Sequence, residues 1–120
     1  MIFEQIFDVK SSTYTYIISS GKGREGLIID PVIENTDIYL KFMNSMDLKL
    51  VKVIDTHIHA DHITGLNELH KRTNCLKIMG ENSKSEVIDL RVKENDKINI
   101  ENLELKTIYT PGHTDCSYSF

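Results

Sequence analysis

Cysteine is scarce in this chain of 120 residues: Cys75 and Cys116 are the only two, too few for a disulfide framework, which fits a reducing cytoplasm. An excess of cations is missing as well. The 14 Lys and Arg are outnumbered by 18 Asp and Glu, for a net charge of -4 and a pI near 5.7. Nucleic acids and anionic membrane surfaces call for clustered Lys and Arg, so neither is expected as a partner. No apolar run approaches the roughly 20 residues needed to span a bilayer. The start, MIFEQIFDVK, carries acidic residues where a signal peptide has a basic n-region. Repeats, low-complexity tracts and linkers are also absent. What remains, 40% apolar and 27% charged residues, is the composition of one globular domain whose partners are small molecules.

The first thirty residues alternate as paired strands do. IFEQIF, TYTYIIS and GLIIDP read as a meander, with the turn cluster Ser19 to Gly23 before the third. After Pro31 the spacing becomes helical, with Ile38, Leu40, Phe42, Met43 and Met46 in one amphipathic segment and Asn35 or Thr36 as its N-cap. Its Met and aromatic positions read as core packing. LKLVKVIDTH is a buried strand, 63–73 a short helix, and CLKIMG, VIDLRV, KINI, LELKTIYT and SYSF are further strands. The order points to a mixed α/β layer architecture, a helix-covered and mostly antiparallel sheet. SYSF resembles the beginning of a strand, which is the expectation for a chain truncated at its C-terminal end.

Where LKLVKVIDTH ends, THIHADHITG places three histidines and an aspartate within six positions. In extended chain, residues i and i+2 share a side, so His57 and His59 can aim two imidazoles at one point. Asp61 and His62 follow where the chain curls toward the helix, and can serve an adjacent point. Imidazole suits zinc and iron, and carboxylate adds a hard anionic donor. Asp61 in isolation would read as the N-cap of the following helix; the density of histidines around it favours a metal loop. A second loop, TPGHT, turns sharply at Pro111-Gly112 and exposes His113 as a distant partner. His70 lies on a polar helix face and reads as a surface residue. Cys75 reads as a packed side chain, and so does Cys116, although an exposed thiolate three residues past His113 would be open to oxidation.

These residues resemble the metallo-β-lactamase superfamily. Its signature H-x-H-x-D-H is met at His57, His59, Asp61 and His62, and its later Pro-Gly-His turn at His113. The resemblance covers 1–120 as one domain and implies the amino-terminal half of an αββα sandwich with metal at one edge. SSTYTY and THIHADHITG are most similar to the persulfide dioxygenase branch. Glyoxalase II enzymes usually place a third His where Ile58 stands and Gly-Gly where Ile63-Thr64-Gly65 follows.

In that branch one Fe(II) is held by the residues that correspond to His57 and His113 and by an Asp of a later Gly-Asp stretch, expected beyond residue 120. His59, Asp61 and His62, metal ligands in dinuclear relatives, would then orient ligands or bind water, with Asp61 the candidate catalytic residue. The implied reaction is oxidation of a thiol persulfide, commonly that of glutathione, by O2 to sulfite and the free thiol. A 2-His-1-carboxylate set leaves open positions on iron, as oxygen chemistry requires. The alternative is a glyoxalase II type thioester hydrolase with one or two Zn(II) bound by His57, His59, Asp61, His62 and His113. A third reading is a non-catalytic metal-binding or interaction module. After His113 the dioxygenases commonly continue Thr-Pro-Gly, whereas Thr114-Asp115-Cys116 stands here, with Asp115 read as closing the turn. Half a sandwich leaves an unpaired edge and an apolar face. The chain alone is therefore expected to be inactive, and stable only when a second half, a partner chain or a homodimer covers that face.

Overall fold

The computed structural model describes residues 1–56, 65–80 and 88–106, together with the backbone of residues 108–109 and 118–119. Six strands form the main sheet in the order β1 (Ile2–Asp8), β2 (Thr13–Ser19), β3 (Glu25–Ile29), β4 (Lys49–Ile54), β5 (Leu76–Gly80) and β6 (Leu90–Val92). The meander read from the alternating start is present, since β1–β2 and β2–β3 pair antiparallel. From β3 onward the pairing is parallel: β3–β4, β4–β5 and β5–β6. The antiparallel expectation thus describes the first three strands and the hairpins, while the centre differs for a physical reason. Parallel neighbours need a crossover, and two are helical: α1 (Thr36–Ser45) joins β3 to β4, and α2 (Leu66–Thr73) precedes β5. Strands β7 (Lys97–Ile100) and β8 (Leu103–Lys106) make a separate hairpin, and β9 (Ile108–Tyr109) pairs antiparallel with β10 (Tyr118–Ser119).

Both faces of the sheet are covered. On one, Ile17, Ile28 and Val53 pack with Tyr39 and Met43 of α1 and with Leu66 and Leu69 of α2. On the other, Ile18, Leu27, Ile54 and Ile78 pack with Ile98 and Ile100 of the β7–β8 hairpin. Each fully buried aliphatic side chain of this kind contributes about 1.5–3 kcal/mol. The hairpin is fastened at its turn: Glu101 accepts from Glu25 N–H and pairs with Arg24, and Glu101 N–H donates to the Glu25 carboxylate. Its cover does not extend over the strands at the β1 end. There Phe3, Phe7 and Tyr14 are 58%, 46% and 49% exposed, in tilted ring contacts between Phe3 and Tyr16 and between Phe7 and Tyr14.

Helix α1 buries Thr36, Tyr39 and Met43, one face at i, i+3 and i+7. Ile38 is turned out and 53% exposed, and Phe42 is half-buried. Asn35 holds the N-cap position, yet its side chain donates to Asp8 Oδ1 (3.1 Å) instead of capping the helix. Helix α2 ends on Asn74 in the left-handed region (φ 61°), whose N–H closes onto His70 O. Arg72 of α2 pairs with Asp37 of α1 at 2.6 Å. Among the described residues no helix is long and apolar enough to cross a membrane.

Candidate metal centre

Parallel pairing brings the carboxyl ends of β3, β4 and β5 to one edge of the sheet, where open α/β sheets place their ligands. Asp30 follows β3 at that edge, and Asp55 and Thr56 follow β4. The donors His57, His59, Asp61 and His62 come next in the chain, in 57–64, and lie outside the described residues, as does His113. Around them the structure gives the frame. Tyr109 pairs with Tyr118, and His113 lies between them in the sequence. Among the described residues no three His, Cys, Asp or Glu side chains come together to hold a metal. The metal reading therefore rests on the two loops.

Two consecutive residues, Asp30 and Pro31, hold Thr56 and Gly65, which flank residues 57–64 in the chain. Before that stretch, both Asp30 carboxylate oxygens are engaged by Thr56, from the backbone N–H at 2.7 Å and from Oγ1 at 2.8 Å. After it, Gly65 N–H donates to Pro31 O at 2.9 Å. Gly65 also lies flush against this segment, since a Cβ there would stand 3.1 Å from Pro31 Cβ and 3.5 Å from the Val32 carbonyl carbon. Asp30 adopts φ 56°, a left-handed conformation that Asp tolerates better than most residues and that turns the chain from β3 onto this platform. Asp55, in the same stretch, is buried.

The stretch SSTYTY reaches this platform. Ser11 donates through N–H and Oγ to Asp8 and closes the β1–β2 turn. Thr15, fully buried, donates from Oγ1 to Asp30 O at 2.7 Å. Asp30, Thr15 and Tyr39 were not singled out by sequence reasoning. The available signal was weak: an Asp-Pro step at a strand end marks a turn, and nothing local marks its partner.

The remaining candidates fall away from the site. His70 Nδ1 lies 2.6 Å from Cys75 O and 3.8 Å from the Asp89 carboxylate, at the far end of α2. Cys75 is buried, and burial pushes its thiol pKa up, as a packed and unreactive side chain requires. Cys116 lies outside the described residues.

A mixed sheet with helices on one face and β-structure on the other is part of an αββα fold. Residues 9–120 match the metallo-beta-lactamase superfamily, and the chain belongs to it. Over its whole length it is 35% identical to the mitochondrial persulfide dioxygenase ETHE1 of Mus musculus, of which it covers 47%. It is 29% identical to the hydroxyacylglutathione hydrolase of Dictyostelium discoideum over 88% of its length and 40% of that protein. The crystal structure of ETHE1 from Myxococcus xanthus superposes with a TM-score of 0.94 at 41% identity, covering 98% of this chain and 52% of the other. The chain spans about half the length of the curated relatives it matches.

Proposed function

We propose that this chain carries the metal loop of a persulfide dioxygenase, which oxidises a low-molecular-weight thiol persulfide to sulfite and the thiol with O2 in the cytoplasm. The observation that supports this reading is the extent of the similarity. Likeness to persulfide dioxygenases runs the full length of the chain, whereas that to the hydroxyacylglutathione hydrolase leaves part of it unmatched.

The donor set fits the group required. Imidazole suits ferrous iron and zinc alike, and a carboxylate helps to hold either divalent ion. On this reading His57 and His113 hold one Fe(II), with a carboxylate from outside the 120 residues completing the set. When bound, iron supplies open coordination positions for oxygen chemistry. His59 and His62 orient the ligands, and Asp61 holds a water or accepts its proton. The exposed Phe3, Phe7 and Tyr14 face is where the rest of an αββα sandwich would seat.

Thioester hydrolysis is the second reading, favoured by the presence of all five donors, His57, His59, Asp61, His62 and His113, that one or two zinc ions would use. Metal analysis of the longest expressed form, with oxygen uptake and sulfite measured on a thiol persulfide, separates the two. About one iron per chain with sulfite formed supports the dioxygenase. Two metals, no oxygen uptake and thioester cleavage replace it with the hydrolase, and an inert metal-free protein leaves a binding module.

A further inference from the structure

Thr56 and Gly65, which flank the donor residues in the chain, are held by Asp30 and Pro31, and the segment Asp30, Pro31 and Val32 is itself held from behind by two hydroxyls. Thr15 Oγ1 contacts Asp30 O at 2.7 Å and Tyr39 Oη at 3.0 Å, and Val32 N contacts Tyr39 Oη at 3.0 Å. Thr15 and Tyr39 are both fully buried. Donor bookkeeping fixes the direction. Asp30 O can only accept, so the single Thr15 hydroxyl proton goes there; the Tyr39 proton must then go to Thr15 Oγ1, and Tyr39 Oη accepts from Val32 N–H. The result is one directed chain, Val32 N–H to Tyr39 O–H to Thr15 O–H to Asp30 O, which begins and ends on the platform.

We infer that Tyr39 and Thr15 are positioning residues for the metal loop, acting through the platform and touching neither metal nor substrate. The chain spans Asp30 to Val32, and those residues fix Thr56 on one side of the loop and Gly65 on the other. Losing either hydroxyl leaves a buried donor or acceptor without its partner, which the platform can relieve only by moving. Loop ends displaced by a fraction of an ångström spread the donors between them, and metal sites tolerate little of that. Tyr39 also explains the orientation of α1: its ring packs among the core residues while its hydroxyl serves the platform.

Amide hydrogen exchange on Tyr39→Phe, Thr15→Val, Thr15→Ser and the double variant Tyr39→Phe/Thr15→Val tests the clamp. In Tyr39→Phe and in Thr15→Val, the Thr56 and Gly65 amides should exchange at least tenfold faster, relative to the Lys49 and Asp89 amides, which bond to Arg24 O and Lys77 O away from the platform. Thr15→Ser, which keeps the hydroxyl, should stay at the wild-type rate. The double variant should be no worse than either single, because one break opens the whole chain. Uniform acceleration at all four amides, or full additivity in the double variant, overturns the inference. A second arm rests on the proposed function: zinc affinity by chelator competition should fall about tenfold in Tyr39→Phe and be kept in Thr15→Ser. Unchanged affinity in Tyr39→Phe also overturns the clamp. A longest expressed form that binds neither iron nor zinc sinks the metal reading instead, while the exchange arm still decides the clamp.

Discussion

Asp30 holds Thr56 through both carboxylate oxygens, across 26 residues of sequence, and Thr56 immediately precedes the first signature histidine. This grip explains why an Asp occupies a backbone position with φ 56°. Asp30→Ala removes two charge-assisted hydrogen bonds and places a β-carbon in left-handed conformation without polar compensation. The expected loss is about 3 kcal/mol or more, by urea denaturation. Asn adopts the same conformation readily and can offer one acceptor and one donor to Thr56, so Asp30→Asn should cost only about 1 kcal/mol. Equal losses for the two variants would sink the hydrogen-bond account.

The two ends of the loop are held differently, and the second end depends on the absence of a side chain. Gly65→Ala pushes a methyl to 3.1 Å from the Pro31 ring, beside backbone that cannot swing aside. The expected cost is about 1–3 kcal/mol, with weakened metal uptake. Gly26→Ala is the control. Its methyl would approach Met43 Cε at 2.9 Å, closer on paper, but that atom is the end of a flexible thioether. Stability within about 1 kcal/mol of wild type and unchanged metal uptake are expected there. Should Gly26→Ala prove the more damaging to metal uptake, the platform would not be the part that matters.

How much of this was legible in the sequence depends on the range over which each feature is encoded. IFEQIF and TYTYIIS carry their pairing in alternation, and β1 and β2 form where that pattern lies. The parallel centre is less visible, because a strand buried on both faces, such as the one holding Leu27, Ile28 and Ile29, reads as a continuous apolar run whichever way its neighbour points. Helix α1 has apolar residues at 38, 40, 42, 43 and 46, which do not select one face. Its burial of Tyr39 is decided by hydroxyl partners 24 and 7 residues away. The donors, by contrast, stand out through density alone, as His57, His59, Asp61 and His62 do. What holds their loop in place, Asp30, Gly65 and Tyr39, is long-range and leaves no local mark.

Cys75 gives a prediction in pH. Its thiol is pushed up mainly by burial, so the folded chain holds the thiol proton more tightly than the unfolded one. The stabilisation is then complete below the ordinary thiol pKa, about 8.5, and is lost as pH rises from there toward the raised folded value. Thermal unfolding between pH 7 and pH 10 should show a steeper alkaline decline for wild type than for Cys75→Ala. Native Cys75 should also resist alkylation until the chain is unfolded. Parallel pH profiles for the two proteins would remove the thiol as the cause.

The histidines of the signature are chemically alike, and their separate removal gives a second way to distinguish iron from zinc chemistry. His57 is a ligand on both readings, and His57→Ala should abolish activity whichever reaction the protein performs. His59 differs. If one iron is held by His57 and His113, His59 lies outside the ligand set and His59→Ala should cost about 10–100-fold in activity with the iron retained. If zinc ions use the whole loop, the same change removes a ligand, and thioester cleavage should disappear together with bound metal. Measuring metal content beside activity makes the difference readable: iron retained with reduced sulfite formation supports the dioxygenase. Loss of all activity with loss of metal in both His57→Ala and His59→Ala would instead favour the hydrolase, since one mononuclear site has no reason to depend equally on the two.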